Sequence, residues 1–185
     1  EMKMKVICLY GEPSAGKTAL MLSLTSRLKR LGVNADIAGE YYKEKVYENT
    51  PVGEEDNLAE ITKRTHSLVD KTGGQLGIFA EQYKRLKRLE GTVDFAVTDC
   101  PLPLIGYYSR NDDDPHLFGS IKYRHSTFDN IGFLLKRTHE FESRARVHSE
   151  DEAMQVSKEL PGFLSNFTDG KEKITIVKSC DDLDD

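Results

Sequence analysis

The sequence predicts an α/β fold: a three-layer phosphate-loop NTPase with a five-stranded parallel sheet and helices on both faces. Two observations predict it. Apolar, often β-branched runs alternate with helix-patterned stretches along the 185 residues, the signature of parallel strands joined by right-handed helical crossovers. The first run, Val6-Ile7-Cys8-Leu9-Tyr10, leads straight into Gly11-Glu12-Pro13-Ser14-Ala15-Gly16-Lys17-Thr18. That is a G-x-x-x-x-G-K-[ST] phosphate loop, whose backbone N–H groups and following helix N-terminus cradle phosphate oxygens. Lys17 is expected to reach the β/γ-phosphates and Thr18 to coordinate Mg²⁺.

The elements follow in order. After the loop, Leu20, Leu24, Leu28 and Leu31 recur at helical spacing up to Gly32, a C-terminal cap. Val33 to Ala38 reads as a second strand ending at Gly39-Glu40. Residues 41–57 are polar and broken by Pro51 and Gly53, so a short helix followed by a loop is expected. Leu58, Ile61, Leu68 and Val69 mark a helix ending before Gly73-Gly74, and another runs from about Leu76 to Glu90, where Gly91 stops it. Val93 to Thr98 is a buried strand closing on Asp99. Residues 101–129 mix Pro, Gly and Tyr with the acidic run Asp112-Asp113-Asp114 and give no clear pattern. Ile131 to Leu135 is a fourth strand ending in Lys136-Arg137. A charged connection carrying Arg144 and Arg146, about residues 138–148, has the character of a lid. Ser149 and Glu152 then form a capping box for a helix expected to be interrupted at Pro161-Gly162, and Ile174 to Val177 is a fifth strand.

Composition bounds the function. The length suits one domain over residues 1–185. No apolar run approaches the ~20 residues that span a bilayer and no charged-then-apolar leader is present, so a soluble, cytoplasmic protein with no membrane partner is expected. Cys8, Cys100 and Cys180 lack C-x-x-C spacing, and His66, His116, His125, His139 and His148 lack metal-site spacing, so neither a disulfide framework nor a zinc centre is indicated. The net charge of −5 argues against general coating of nucleic acid. Lys84, Arg85, Lys87 and Arg88 read as a solvated helix face. The acidic tail, about residues 180–185, is expected to be disordered.

Ligands of parallel sheets bind at the carboxyl ends of the strands, which makes Glu40, Asp99 and Arg137 candidates. Asp99 closes an apolar strand, as does the acid that holds Mg²⁺ in phosphate-loop proteins; the alternative is a turn-forming Asp. Glu40 should face the γ-phosphate and accept a proton from an attacking hydroxyl, or orient the acceptor if that acceptor is itself a phosphate; the alternative is a structural N-cap or a solvent-facing acid. Asp36 is the runner-up. Arg137 and Arg146 suit the charge of a transferring phosphoryl. Gln82 could read a base edge, and Tyr41, Tyr42, Tyr107 and Tyr108 offer stacking surfaces, although tyrosines are equally ordinary core residues.

Several segments together resemble a known group: residues 11–18, Gly39-Glu40-Tyr41-Tyr42-Lys43-Glu44, Ile78-Phe79-Ala80-Glu81-Gln82, Val97-Thr98-Asp99-Cys100-Pro101-Leu102 and Leu134-Leu135-Lys136-Arg137. They are similar to the bacteriophage-type phosphate-loop ATPase/kinase family, an AAA-like group related to nucleoside and nucleotide kinases. The resemblance implies strand order 2-3-1-4-5, a lid, ATP and Mg²⁺ as cofactors, and phosphoryl transfer to a nucleotide-type acceptor in the host cytoplasm. That acceptor is a nucleoside, a nucleoside monophosphate or a hydroxymethyl-pyrimidine within DNA. Glu40 and Gln82 match the glutamate base and base-reading glutamine of deoxynucleoside kinases. Two departures stand out: Cys100 where the group commonly has Ser, and Ala145-Arg146 where Gly-Arg is usual. No N-K-x-D guanine signature occurs, so ATP is preferred to GTP. The competing class is a nucleotide-dependent ATPase or switch acting through a protein partner.

Overall fold

A computed structural model describes residues 3–50, 58–110, 114–137 and 149–177. The lid segment with Arg144 and Arg146, the acids Asp112 and Asp113, and the acidic tail lie outside the described residues. Five strands, β1 (Lys5–Gly11), β2 (Ala35–Ile37), β3 (Phe95–Thr98), β4 (Asp129–Leu135) and β5 (Lys173–Val177), form one sheet in the order β2-β3-β1-β4-β5. Every pairing is parallel. Among the described residues seven helices connect and cover them: α1 (Lys17–Arg30), α2 (Tyr41–Glu48), α3 (Leu58–Lys71), α4 (Gly74–Lys87), α5 (Leu102–Tyr108), α6 (Leu117–Ser126) and α7 (Glu150–Phe167). Among the described residues no helix is long and apolar enough to cross a membrane.

Strand β1 sits at the centre of the sheet and is buried on both faces, so its side chains divide between two cores. Ile7 and Leu9 pack with Leu20 and Met21 of α1, with Val97, Leu135 and Val177 around them. Val6, Cys8 and Tyr10 face the larger core, built with Ile78, Phe79 and Leu86 of α4, Leu104 and Ile105 of α5, Ile121 of α6 and Leu160 of α7. Each fully buried Leu or Ile contributes about 1.5–3 kcal/mol relative to exposure. Clamping β1 from both sides fixes the point at which the chain enters the phosphate loop.

A buried polar group secures the same strand from below. The Tyr10 hydroxyl donates to the Glu172 carboxylate at 2.9 and 3.1 Å, and His125 Nε2 lies 2.7 Å from Glu172 Oε2. The His125 and Glu172 side chains are only 7% and 4% exposed. Space for this cluster depends on Gly132, because a Cβ there would stand 2.7 Å from Glu172 Oε1 and from Ile174. Burial raises the Tyr10 pKa well above its ordinary value, helped by the nearby Cys8 and Glu172, so the phenol stays a donor. Glu172, set between two lysines, reads as a surface residue in the sequence, and its burial is not legible there.

Two expectations need correction. Helix α7 is not interrupted at Pro161-Gly162 but runs through both. Its buried stripe of Ala153, Val156, Leu160, Leu164 and Phe167 continues across the proline, and tertiary packing of that stripe outweighs the missing N–H. Its N-terminus is as expected: Glu152 N–H donates to Ser149 Oγ at 3.2 Å and Ser149 N–H to Glu152 Oε2 at 2.6 Å. The unpatterned stretch 101–129 contains two helices. In α5 every residue from Leu102 to Tyr107 is buried, which erases the polar face that would have revealed a period. Asp114 Oδ1 accepts from the His116 and Leu117 N–H groups at 2.9 and 3.2 Å, starting α6 with an Asp turn.

Candidate active site

The site forms where β1, β3 and β4 end. Gly11 leaves β1 with φ 153°, and Ser14 and Gly16 take left-handed conformations at φ 65° and 89°. A Cβ on Gly11 would stand 2.9 Å from the Leu135 carbonyl oxygen, so only glycine lets β1 turn into the loop beside β4. Lys17 Nζ donates to the Gly11 and Glu12 carbonyls at 3.0 and 2.9 Å. These are neutral acceptors, which an anionic oxygen entering the loop can replace.

Thr18 and Asp99 meet as the sequence suggested. Thr18 Oγ1 donates to Asp99 Oδ2 at 2.6 Å. Asp99 is 3% exposed, and its other oxygen, Oδ1, is buried with no hydrogen-bond partner among the described residues. An orphaned buried carboxylate oxygen costs about 1–3 kcal/mol or more. Together with the Thr18 hydroxyl it supplies the hard oxygen donors that Mg²⁺ takes, alongside phosphate and water. The residues present therefore fit the cation.

Arg137, at the end of β4, lies against the loop. Its Nε is 3.4 Å from Glu12 Oε2, and Nη1 and Nη2 are each 3.3 Å from Oε1 of Glu150 in the first turn of α7. The guanidinium thus ties the loop to α7 and is 12% exposed. Arg146 is outside the described residues.

Across the cleft, Thr98 Oγ1 donates to the Ala38 carbonyl at 2.7 Å and accepts from Cys100 N–H at 3.2 Å, aligning the ends of β2 and β3. Glu40 is the residue before α2, with extended backbone. Cys100 reports on its surroundings. Burial pushes the thiol pKa well up, the Glu40 and Asp99 carboxylates push it further, and Lys17 and Arg85 pull it down. Glu40 and Lys17 therefore both lie close enough to Cys100 to act on its thiol. Glu40 also acts on Tyr42, whose pKa is pushed to about 12, chiefly by burial and then by Asp70 and Glu40.

The structure places other candidates differently. Gln82 was expected to offer its amide to a base edge, but it is wholly buried. Its Nε2 donates to the Ala38 and Gly39 carbonyls at 3.3 and 3.2 Å, and Oε1 accepts from Tyr41 N–H at 3.0 Å. The amide is committed to the β2–α2 turn and sets the position of Glu40 in between. Replacing Gln82 by Ala strands that buried N–H and two carbonyls; we expect a stability loss of about 1–3 kcal/mol in denaturant unfolding. Asp36 is exposed, one residue before the end of β2, with Oδ1 bonded to Ile37 N–H at 2.8 Å, and is not among the groups gathered near Asp99. Tyr107 is buried, with its hydroxyl on Glu159 at 2.7 Å and Tyr108 edge-on at 5.3 Å; it is a core residue rather than a stacking platform. Tyr41 has Lys45 and Arg85 over its ring, at 5.5 and 5.4 Å.

Sequence reasoning missed Arg85, which it assigned to a solvated face. The side chain donates to the Gly39 carbonyl at 3.2 Å and through both terminal nitrogens to Glu44. This pairing raises the Arg85 pKa and lowers that of Glu44. The signal was present only as a charge pair between two separate helices.

Comparison with known proteins agrees with this architecture. The profile of a family described as AAA domain matches residues 6–170. A thymidylate kinase from Candida albicans superposes with a TM-score of 0.54 at 16% identity, covering 98% of this chain and 88% of that one. A deoxyadenosine kinase from M. mycoides with bound dATP superposes with a TM-score of 0.51 at 17% identity, covering 95% and 90%. At these identities the likeness is one of fold. No curated protein sequence matches the chain.

Proposed function

The chain belongs to the AAA domain family, and from that premise we propose that it is an ATP-dependent kinase that phosphorylates a hydroxyl of a nucleotide-type acceptor, either a nucleoside or a hydroxymethyl-pyrimidine in DNA. The observation that carries this reading is the placement of Glu40 just past the carboxyl end of β2, in a turn fixed by Gln82, at the same sheet edge as the phosphate loop and the Thr18–Asp99 pair. A hydrolase would use such a carboxylate to position water; a kinase uses it on an acceptor hydroxyl. A carboxylate on the far wall adds a group able to take a proton from an attacking hydroxyl.

Lys17 leaves its two carbonyl partners to neutralise the β- and γ-phosphates, and the loop N–H groups hold them in place. Thr18 and Asp99 would hold Mg²⁺, which would offset phosphate charge. Glu40 orients and deprotonates the acceptor hydroxyl, held at the right depth by Gln82. Arg137 keeps the loop against α7.

The described cations on the acceptor side favour a hydroxyl over a phosphate acceptor. Arg85 is engaged by Glu44 in a two-point pair, and the Glu40 carboxylate adds negative charge on that side, which repels a second phosphate. The test is ATP consumption by wild type and Glu40→Gln across deoxynucleosides, their monophosphates, and unmodified and hydroxymethyl-pyrimidine DNA. Stimulation by hydroxyl acceptors and a kcat about 10²–10⁴-fold lower in Glu40→Gln, with the KM for ATP retained, is expected. Stimulation by monophosphates alone would assign the opposite acceptor chemistry, and an unchanged kcat in Glu40→Gln would remove the base.

A further inference from the structure

The overall charge of −5 conceals an uneven distribution. In a parallel α/β fold the crossover helices run back toward the starts of the strands, so their C-terminal turns gather at the edge of the sheet opposite the phosphate loop. Seven residues of β1 separate the two ends, about 20 Å at 3.3 Å per residue. Hydrogen bonds trace this edge: Asn34 Nδ2 donates to the Thr92 carbonyl at 2.9 Å, Asp94 N–H to the Asn34 carbonyl at 2.9 Å, and Lys5 N–H to the Asp94 carbonyl at 2.9 Å. Lys5 is in register with Asp129.

Positive charge collects along it. Helix α1 ends in Arg27, Lys29 and Arg30, all exposed. The helix dipole accounts for cations in last turns, but not for the exposed Lys3, Lys5, Lys171 and Lys173, which begin β1 and flank the start of β5. Of the acids at this edge, Glu90 pairs with Lys87 and Asp169 with Lys122, which leaves Asp94 and Asp129 against Lys3, Lys5, Lys171, Lys173 and the three cations that end α1. A cavity of about 420 Å³ that opens here is lined by one cation, Lys3, and two acids, Glu90 and Asp94, and is not part of the cationic row. At the α6 flank of the edge Arg124 lies 5.4 Å from the rings of both Tyr83 and Tyr123, and Tyr123 is 63% exposed.

We infer that the strand-start edge of the sheet is a docking surface for a nucleic-acid strand, with its phosphates on the lysine and arginine row and an unpaired base on Tyr123. Rows of cations with an exposed aromatic are what a phosphate backbone and a base face recognise without sequence preference. The surface is separate from the phosphate-loop cleft, and the inference does not rest on the kinase reading.

Fluorescence anisotropy with short labelled oligonucleotides, single-stranded and duplex, tests it without ATP. Wild type is expected to bind with a dissociation constant of about 10⁻⁴–10⁻⁶ M at physiological salt, tightening as salt falls. Lys5→Glu/Lys29→Glu/Lys173→Glu should weaken binding about tenfold or more and flatten the salt slope by roughly one for each lost phosphate contact. Tyr123→Ala should weaken the single strand more than the duplex. Lys63→Glu/Arg64→Glu, on the exposed face of α3, should bind as wild type, and all these variants should keep nucleotide turnover. No salt-dependent binding, an edge variant that binds as tightly as wild type, or an equal loss in the α3 control would overturn the inference. Because binding is read without ATP, such a result is distinguishable from failure of the kinase reading.

Discussion

Replacing Lys17 by Ala is expected to lower ATP turnover by about a hundredfold to a thousandfold, the scale of removing one preorganised charge partner of the transferring group. The ammonium is held by the carbonyls of Gly11 and Glu12 at 3.0 and 2.9 Å, so its loss leaves two backbone oxygens at a cleft that ligand or solvent can reach. The fold should survive, because β1 is clamped by Ile7 and Leu9 on one face and Tyr10 on the other. Steady-state ATP consumption read beside a thermal melt checks this. Near-wild-type turnover with an intact melt would remove Lys17 from the phosphate site.

Asp99→Asn carries the second large effect and a more discriminating signature. The substitution keeps shape and can still accept the Thr18 hydroxyl, but removes a carboxylate whose Oδ1 is buried and unpartnered among the described residues. Relief of that buried charge should leave stability equal or higher, whereas turnover should fall about 10²–10³-fold. Binding of ATP measured without Mg²⁺ should be nearly unchanged. A residue kept for structure alone behaves in the opposite way, losing stability and leaving turnover intact. Chemical unfolding, equilibrium nucleotide binding and kcat on the same sample separate the two.

Legibility in the sequence followed the range of the determinants. The phosphate loop was readable because its requirements are local: two glycines, a lysine and a hydroxyl at fixed spacing between an apolar run and a helical one. Asp99 was readable because an acid ending an apolar strand falls at the carboxyl edge, and the Thr18–Asp99 contact followed from the strand order. Gln82 was misread because its partners, Ala38, Gly39 and Tyr41, are distant in the chain, and a spare amide and a committed one look alike in sequence. Arg85 was hidden for the same reason. Helix α5 gave no period because burial on all sides left no polar face, and Pro161 was overruled by the stripe on either side of it. Glu172 was concealed by flanking lysines, its burial decided by Tyr10 and His125.

The architecture also gives the two ends of the sheet different charged groups. Strand ends gather Lys17, Asp99 and Glu40 at one edge of the sheet. Strand starts gather exposed cations that act outward on solvent. Both follow from one rule of parallel sheets, that every crossover returns the chain to the same edge.

The most direct test of the central claim is the fate of the γ-phosphate. Protein incubated with γ-labelled ATP, Mg²⁺ and the stimulating hydroxyl acceptor should place the label on the acceptor, in amounts equal to the ADP formed, and Glu40→Gln should abolish the transfer. Label recovered only as inorganic phosphate, at a rate no acceptor changes, would contradict the kinase reading and leave an ATPase.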